Sequence, residues 1–316
     1  MKQLKLSTIG QYYTYKEDSL LPLLISNLGY DIVWVEPDKC DVLIIGKPMN
    51  PLKWVLKKGT SVILPNYGHT FIKKYINTRH YKPLTLFHTC ENLRHDSVKT
   101  DYSISFDFLL NNKKHYRLPY WMEMVDWSHE GLRGNKNKRF GKLFNIGRMM
   151  QPLGCNFLLK QRKAAIFASH LDGPRKHIFL SVKKVITIDG FGKYFDNTIK
   201  NHTNSGFEKL HILKDYAFNL CPENKLYPGY YTEKIPEAFL GGSLPLTWVD
   251  RHVSADFNPK AFINLEQIEW KNYDVLYEIL HSKEKLAAYA EEPLLLTAPS
   301  IEPFREFIRN LLSYTL

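Results

Sequence analysis

The sequence predicts an α/β fold of two Rossmann-like domains, each built on a parallel sheet, with a ligand cleft expected between them. Three observations carry this prediction. Short apolar, β-branched runs recur between stretches of helical spacing, which is how strands covered on both faces read. The alternation restarts after a basic, Gly- and Asn-rich stretch at 131–142, "GLRGNKNKRFGK", without any sequence repeat between the halves. The chain also has 316 residues, more than one compact core commonly holds.

The first half opens with a strand at "KLSTIG" (5–10). A helix follows over "DSLLPLLISNLGY" (18–30), with Asp18 as the expected cap and Gly29 as the stop. "DIVWVE" (31–36), "DVLIIG" (41–46), "TSVILP" (60–65) and "LTLFHT" (84–89) read as strands. The second half repeats the pattern. "KAAIFASH" (163–170) is a strand and "GPRKHIFLSVKKV" (173–185) a helix. "VITIDG" (185–190) is a strand, and "NSGFEKLHILKDY" (204–216) a helix capped by Asn204. "AFNLC" (217–221), "TEKIPEAFLGG" (232–242) and "LPLTWV" (244–249) follow as strand, helix and strand. "NYDVLYEILHSKEKLAAYAEE" (272–292) and "IEPFREFIRNLLSYT" (301–315) read as one helix each. The expected boundaries are an N-terminal domain at 1–152, a C-terminal domain at 153–300, and a last helix at 301–316 that packs back on the N-terminal domain.

Composition narrows the class. Hydrophobic residues make up 44% and charged residues 24%, as in an ordinary globular chain. The net charge of +11 favours an anionic partner, whether nucleotide, nucleic acid or acidic membrane surface, without choosing among them. The 131–142 stretch reads as an exposed loop, and a phosphate- or membrane-facing patch is the alternative. Cys40, Cys90, Cys155 and Cys221 are scattered, with no CxxC or Cys/His cluster, so neither a zinc site nor a disulfide framework is expected. No apolar run approaches membrane-spanning length and no secretory leader is visible, which points to the cytoplasm.

In doubly wound domains ligands sit beyond the C-terminal strand ends, against the following helix starts. The most informative such end is "CPENKLYPGYYTEK" (221–234). Thr232 reads as an N-cap, which puts Glu233 and Lys234 in the first helical turn. A cation there opposes the helix dipole unless an anion sits beside it. A carboxylate at such a position can accept two ribose hydroxyls. Asn224 and Tyr230 bring further polar groups to the same loop. On spacing alone, a capped surface helix with an incidental ion pair accounts for Glu233 and Lys234 equally well. Arg175 repeats the theme at a second helix start, after Gly173-Pro174, although a lone Arg is more often simply exposed. Glu91 ends the strand "LTLFHTC" in the first half and is a candidate general base, or else a solvated loop acid.

Together these segments resemble family 10 glycosyltransferases, the α-1,3/4-fucosyltransferases. The segment "FNLCPENKLYPGYYTEKIPEAFLGGSLPLTW" matches their F-x-L-x-x-E-N, Y-x-T-E-K and x-P-x-x-W pattern. "ADFNPKAFINL" and "FASHLDGPRKHIFLSV" resemble neighbouring family segments, with His170 where Asn is usual. Upstream, "FHTCEN", "DYSISFDF" and "YRLPYW" are similar to the family's Y-T-G-E-N, D-Y-A-I-G-F-D and R-x-P-x-Y. The resemblance spans about residues 84 to 270, with Pro222 where bacterial members usually have Phe and a loop at 225–229 of its own.

It implies a GT-B fold and an inverting, metal-independent transfer of fucose from GDP-fucose to a glycan hydroxyl. Carried over, Arg175 and Lys234 neutralise the diphosphate and Glu233 binds the ribose. Asn224 and Tyr230 help hold the nucleotide, and Glu91 deprotonates the acceptor. No cofactor beyond the GDP-sugar is implied. The expected acceptor is an oligosaccharide or a lipid-linked glycan of the lipopolysaccharide or O-antigen kind, and the basic 131–142 stretch gives the expectation of peripheral contact with the acidic inner face of the cytoplasmic membrane. The alternative within enzymes is another GDP-6-deoxyhexose or GDP-amino-deoxysugar donor. The alternative outside them is a basic nucleic-acid binder, for which no zinc-finger or RNP-like signature is present.

Overall fold

The computed structural model describes residues 2–10, 19–47, 82–109, 112–137, 142–195, 207–268 and 270–313. The expected strand at 60–65, the caps Asp18 and Asn204, and positions 138–141 of the basic stretch lie outside them. The chain divides into two compact units. The first comprises Met1–Leu118, Trp127–Lys136 and Ile301–Leu316, and the second Pro119–Asp126 and Asn137–Ser300. Each carries one parallel α/β sheet, the architecture of the GT-B class.

In the first unit β1 (Lys2–Ile9), α1 (Leu20–Asn27), β2 (Tyr30–Trp34), β3 (Val42–Ile45), β4 (Leu84–His88), β5 (Tyr102–Ser105) and β6 (His115–Arg117) give a six-stranded sheet of order β2-β1-β3-β4-β5-β6. All four residues of β3 are buried, as expected of a parallel strand with both faces covered. Helix α1 buries Leu20, Leu21, Leu24 and Ile25. Its N-cap position is Ser19, one residue beyond the expected Asp18, and the Ser19 side chain makes no cap bond. Gly29, at φ +92°, supplies the left-handed turn that ends the helix.

Strands β5 and β6 were not legible as strands, because apart from Ile104 their buried positions are polar. Ser103 and His115 sit on neighbouring strands and satisfy each other, with Ser103 Oγ 2.9 Å from His115 Nδ1. The helix Glu302–Ser313 belongs to this unit and buries Phe304, Ile308, Leu311 and Leu312. Its Phe304 ring lies 4.9 Å from that of Tyr116.

In the second unit α2 (Ile146–Met149) precedes β7 (Gln161–Phe167), α3 (Pro174–Val182), β8 (Thr187–Phe191), α4 (Phe207–Leu213), β9 (Tyr216–Leu220), α5 (Lys234–Leu240), β10 (Leu244–Thr247) and β11 (Ile263–Asn264). The sheet order is β11-β10-β9-β7-β8, all parallel. From β7 the chain moves outward to β8, and from β9 it moves the other way to β10. The C-terminal ends of β7 and β9 are therefore a topological switch point, where such sheets leave a crevice.

The single helix expected at 272–292 is two, α6 (Tyr273–His281) and α7 (Lys283–Ala290). Ser282 adopts ψ 114°, which stops α6, and its hydroxyl accepts the Lys285 N–H to start α7. The amphipathic spacing carries through the break, so periodicity alone does not reveal it. The C-terminal helix Glu302–Ser313 is α8.

Candidate functional site

The site grows from the end of β9. Beyond Leu220 the backbone stays beside β10, with Cys221 N–H donating to Leu246 O at 2.8 Å and Glu223 N–H to Trp248 O at 3.2 Å. This holds Glu223 fully buried. Its carboxylate accepts the Thr232 N–H at 2.7 Å, the Thr232 hydroxyl at 2.9 Å and the Lys234 ammonium at 2.6 Å. Lys234 Nζ also donates to Thr232 Oγ1 at 2.7 Å. The intervening loop folds back through Gly229, at φ +88°, and through Tyr231, whose hydroxyl donates to Asp250 at 3.0 Å.

The expected cap is corrected by this arrangement. Helix α5 begins at Lys234 with Glu233 in the N-cap position, and neither Glu233 nor Thr232 caps it through its side chain. The Thr232 hydroxyl is turned instead to the fully buried Glu223 carboxylate, to which it donates, and its oxygen accepts from the Lys234 ammonium rather than from a helix N–H; meeting a buried charge outweighs a capped helix start. The anion that a cation at a helix start requires is thus present in the chain itself. Burial works against the Lys234 ammonium, but the charges of Glu223 and Glu233 outweigh it and hold the pKa above the ordinary lysine value. Lys234 is a charged group with a fixed position.

A second buried pair stands on the same helix. Glu237, fully buried on α5, receives the Lys209 ammonium from α4, and that ammonium also lies 5.1 Å over the Phe167 ring.

The lysines of both pairs line a cavity of about 220 Å³ at the switch point. Arg175, Lys209, Asn219, Glu233 and Lys234 all contribute to its wall. Arg175 comes from the first turn of α3, which starts at Pro174 after Gly173. Cys221 also lines the cavity, but burial pushes its thiol up to about 12, so it is no thiolate nucleophile at neutral pH. Among the described residues, no group of three or more His, Cys, Asp or Glu side chains is placed to hold a metal ion.

Of the six residues singled out from the sequence, the structure brings Arg175, Glu233 and Lys234 to one cavity. Tyr230 is buried and lies close enough to Lys234 to act on it electrostatically, without forming part of the cavity wall. Asn224 is exposed in the loop and is not part of that wall. Glu91 belongs to the first unit, just beyond β4, where its N–H donates to Thr89 Oγ1 at 3.1 Å and its carboxylate lies 3.5 Å from Lys47 Nζ. The segment after it is pinned by buried Asp107, which accepts the His95 N–H at 2.6 Å and pairs with Arg94 at 2.5 Å.

Three residues of the site were missed. Glu223 was visible as the acid beside Asn224. Asn219 was visible as a lone amide inside an apolar strand. Lys209 had no signal, since a lysine on an amphipathic helix is ordinary.

Residues 158–290 match the family described as glycosyltransferase family 10 (fucosyltransferase), C-terminal part. Residues 55–124 match the α-(1,3)-fucosyltransferase FucT N-terminal domain. The α-(1,3)-fucosyltransferase FucT of Helicobacter pylori is 28% identical over 229 residues, 66% of this chain and 47% of that protein. The chain thus spans about half the length of that curated relative. Among solved structures, an α1,3-fucosyltransferase with GDP-fucose superposes with a TM-score of 0.67 at 21% identity, covering 99% of this chain and 91% of the other. The same enzyme type with GDP gives 0.66 at 20% identity, with 99% and 91% covered. At that identity the likeness is one of fold.

Proposed function

Because the chain belongs to glycosyltransferase family 10, the fucosyltransferase family, we propose that it transfers fucose from GDP-fucose to a hydroxyl of a glycan acceptor, with inversion and without a metal. The acceptor oxygen attacks C1 of the sugar, the bond from C1 to the β-phosphate oxygen breaks, and GDP leaves. The acceptor's proton passes to Glu91. Charge developing on the β-phosphate is met by Arg175 and by Lys234, the latter held in place before reaction by Glu223 and Thr232. Glu233 accepts the ribose hydroxyls. Tyr230 and Asn224 complete the nucleotide site, Asn224 by a movement of its exposed loop. The acceptor is an oligosaccharide or a lipid-linked glycan.

The observation that carries this reading is the convergence of Arg175, Glu233 and Lys234 on one cavity at a strand switch point. Such a crevice suits a nucleoside diphosphate. Arg175 is half-buried, so Arg175→Ala removes a cation at little risk to the fold. GDP is expected to raise the melting temperature of the wild type, and Arg175→Ala to remove most of that rise. A wild type indifferent to GDP opposes the reading. Transfer or hydrolysis assays with GDP-fucose, GDP-mannose and a GDP-amino-deoxysugar then identify the donor, and preference for an amino-deoxysugar replaces fucose with the alternative.

A further inference from the structure

Resting on the reading of the cavity as a nucleoside diphosphate site, we propose that the side-chain amide of Asn219 is a further donor-binding group, giving a hydrogen bond from Nδ2 to an oxygen of the diphosphate. Asn219 stands on β9 between Phe218 and Leu220, in a strand whose neighbouring positions are buried and apolar. The residue is 1% exposed and its Nδ2 has no hydrogen-bond partner. Buried polar atoms are almost always paired, and one left unmet lowers stability. An apolar residue would fill this position without that penalty.

Asn219 is one of the residues that line the cavity, so its buried amide stands beside the space a ligand enters. Its terminal torsion has a broad, two-fold profile, and the amide turns its nitrogen toward a ligand at little cost. The choice of acceptor follows from the neighbours. Arg175, Lys209 and Lys234 bring three cations to the same wall, and the carboxylates that pair with the two lysines, Glu237 and Glu223, are fully buried and line no part of it, which leaves Glu233, read above as the ribose acceptor, as the acid among the lining residues. A ligand seated there is rich in acceptor oxygens, and the amide adds a neutral donor to that set.

The test compares wild type, Asn219→Leu and Asn219→Asp. It measures the melting temperature without nucleotide, and the affinity for GDP and for guanosine by titration calorimetry. Removing an unmet donor leaves the Asn219→Leu protein no less stable without nucleotide. Its GDP affinity falls about tenfold or more, as for loss of a hydrogen bond to a charged group. Asn219→Asp keeps the size, sets a carboxylate against the diphosphate and loses more. Guanosine, which lacks phosphates, binds the variants as it binds wild type. GDP affinity within twofold of wild type in both variants overturns the proposal, as does an equal loss for guanosine. A wild type that does not bind GDP overturns the nucleotide reading itself, and this assignment with it.

Discussion

At the residue scale the site rests on Glu223 and Lys234. A lysine in the first turn of a helix is misplaced with respect to the dipole, and burial adds to the penalty. Glu223 offsets both from 2.6 Å away, inside a protein interior where such a pair is strongly coupled. Thr232 supplies two hydrogen bonds to the same carboxylate, so little of its acceptor capacity is left unmet. Removing one partner of a buried pair leaves the other uncompensated. Glu223→Gln is therefore expected to destabilise the protein by about 3–5 kcal/mol, read as a lower urea midpoint. GDP, which brings its own anionic oxygens to Lys234, should recover part of that loss. A Glu223→Gln protein as stable as wild type would show that the pair is incidental.

At the element scale the two helices that carry Lys209 and Lys234 are fastened at their far ends by one side chain. The Lys160 ammonium donates to Leu213 O at 3.0 Å and to Gly242 O at 2.6 Å, the carbonyls at the ends of α4 and α5. A cation at two helix C-termini is favoured by both dipoles and satisfies carbonyls that lack helical partners. Lys160→Met keeps the stem and removes the charge. It should lower stability by about 1.5–3 kcal/mol, measured by chemical denaturation. No change would mean that the Ser243 hydroxyl, which also donates to Leu213 O, suffices alone.

The break between α6 and α7 belongs to the same scale. Ser282 could be identified as a cap only once the φ/ψ of the turn was known, because the apolar spacing runs on through it. Strands β5 and β6 escaped for the complementary reason. Their buried Ser103, Ser105 and His115 read as exposed until partners exist for them, His115 across the strands for Ser103 and the buried Asp107 carboxylate for Ser105.

At the scale of the whole molecule each unit has its own sheet and its own buried apolar residues, around Leu43, Ile45 and Phe87 in the first and around Ala164, Phe218 and Leu246 in the second. Units with separate cores are able to unfold separately. Scanning calorimetry is expected to resolve two transitions, with GDP raising only the one that carries the second unit, since every residue lining the cavity lies there. Phe304→Ala, which empties a fully buried position on α8 in the first unit, should lower the other. A single transition that both changes shift together would contradict this.

Periodicity and turn chemistry, which are properties of neighbours along the chain, were enough to identify the α/β class and most strands and helices, and to single out three residues of the cavity as candidates whose roles only the family resemblance supplied. Arg175, Glu233 and Lys234 were legible because strand ends and helix starts are local signals. Their meeting point was not. It depends on β7 and β9 being neighbours although β8 comes between them in sequence, and strand order is set by long-range packing. The counter-charge of Lys234 was hidden for the same reason. Glu223 lies eleven residues earlier, and only a loop folded through Gly229 and Tyr231 returns it to the helix. Burial is likewise a property of the packed molecule, and it alone turns Asn219 from one polar letter in a strand into an amide without a partner.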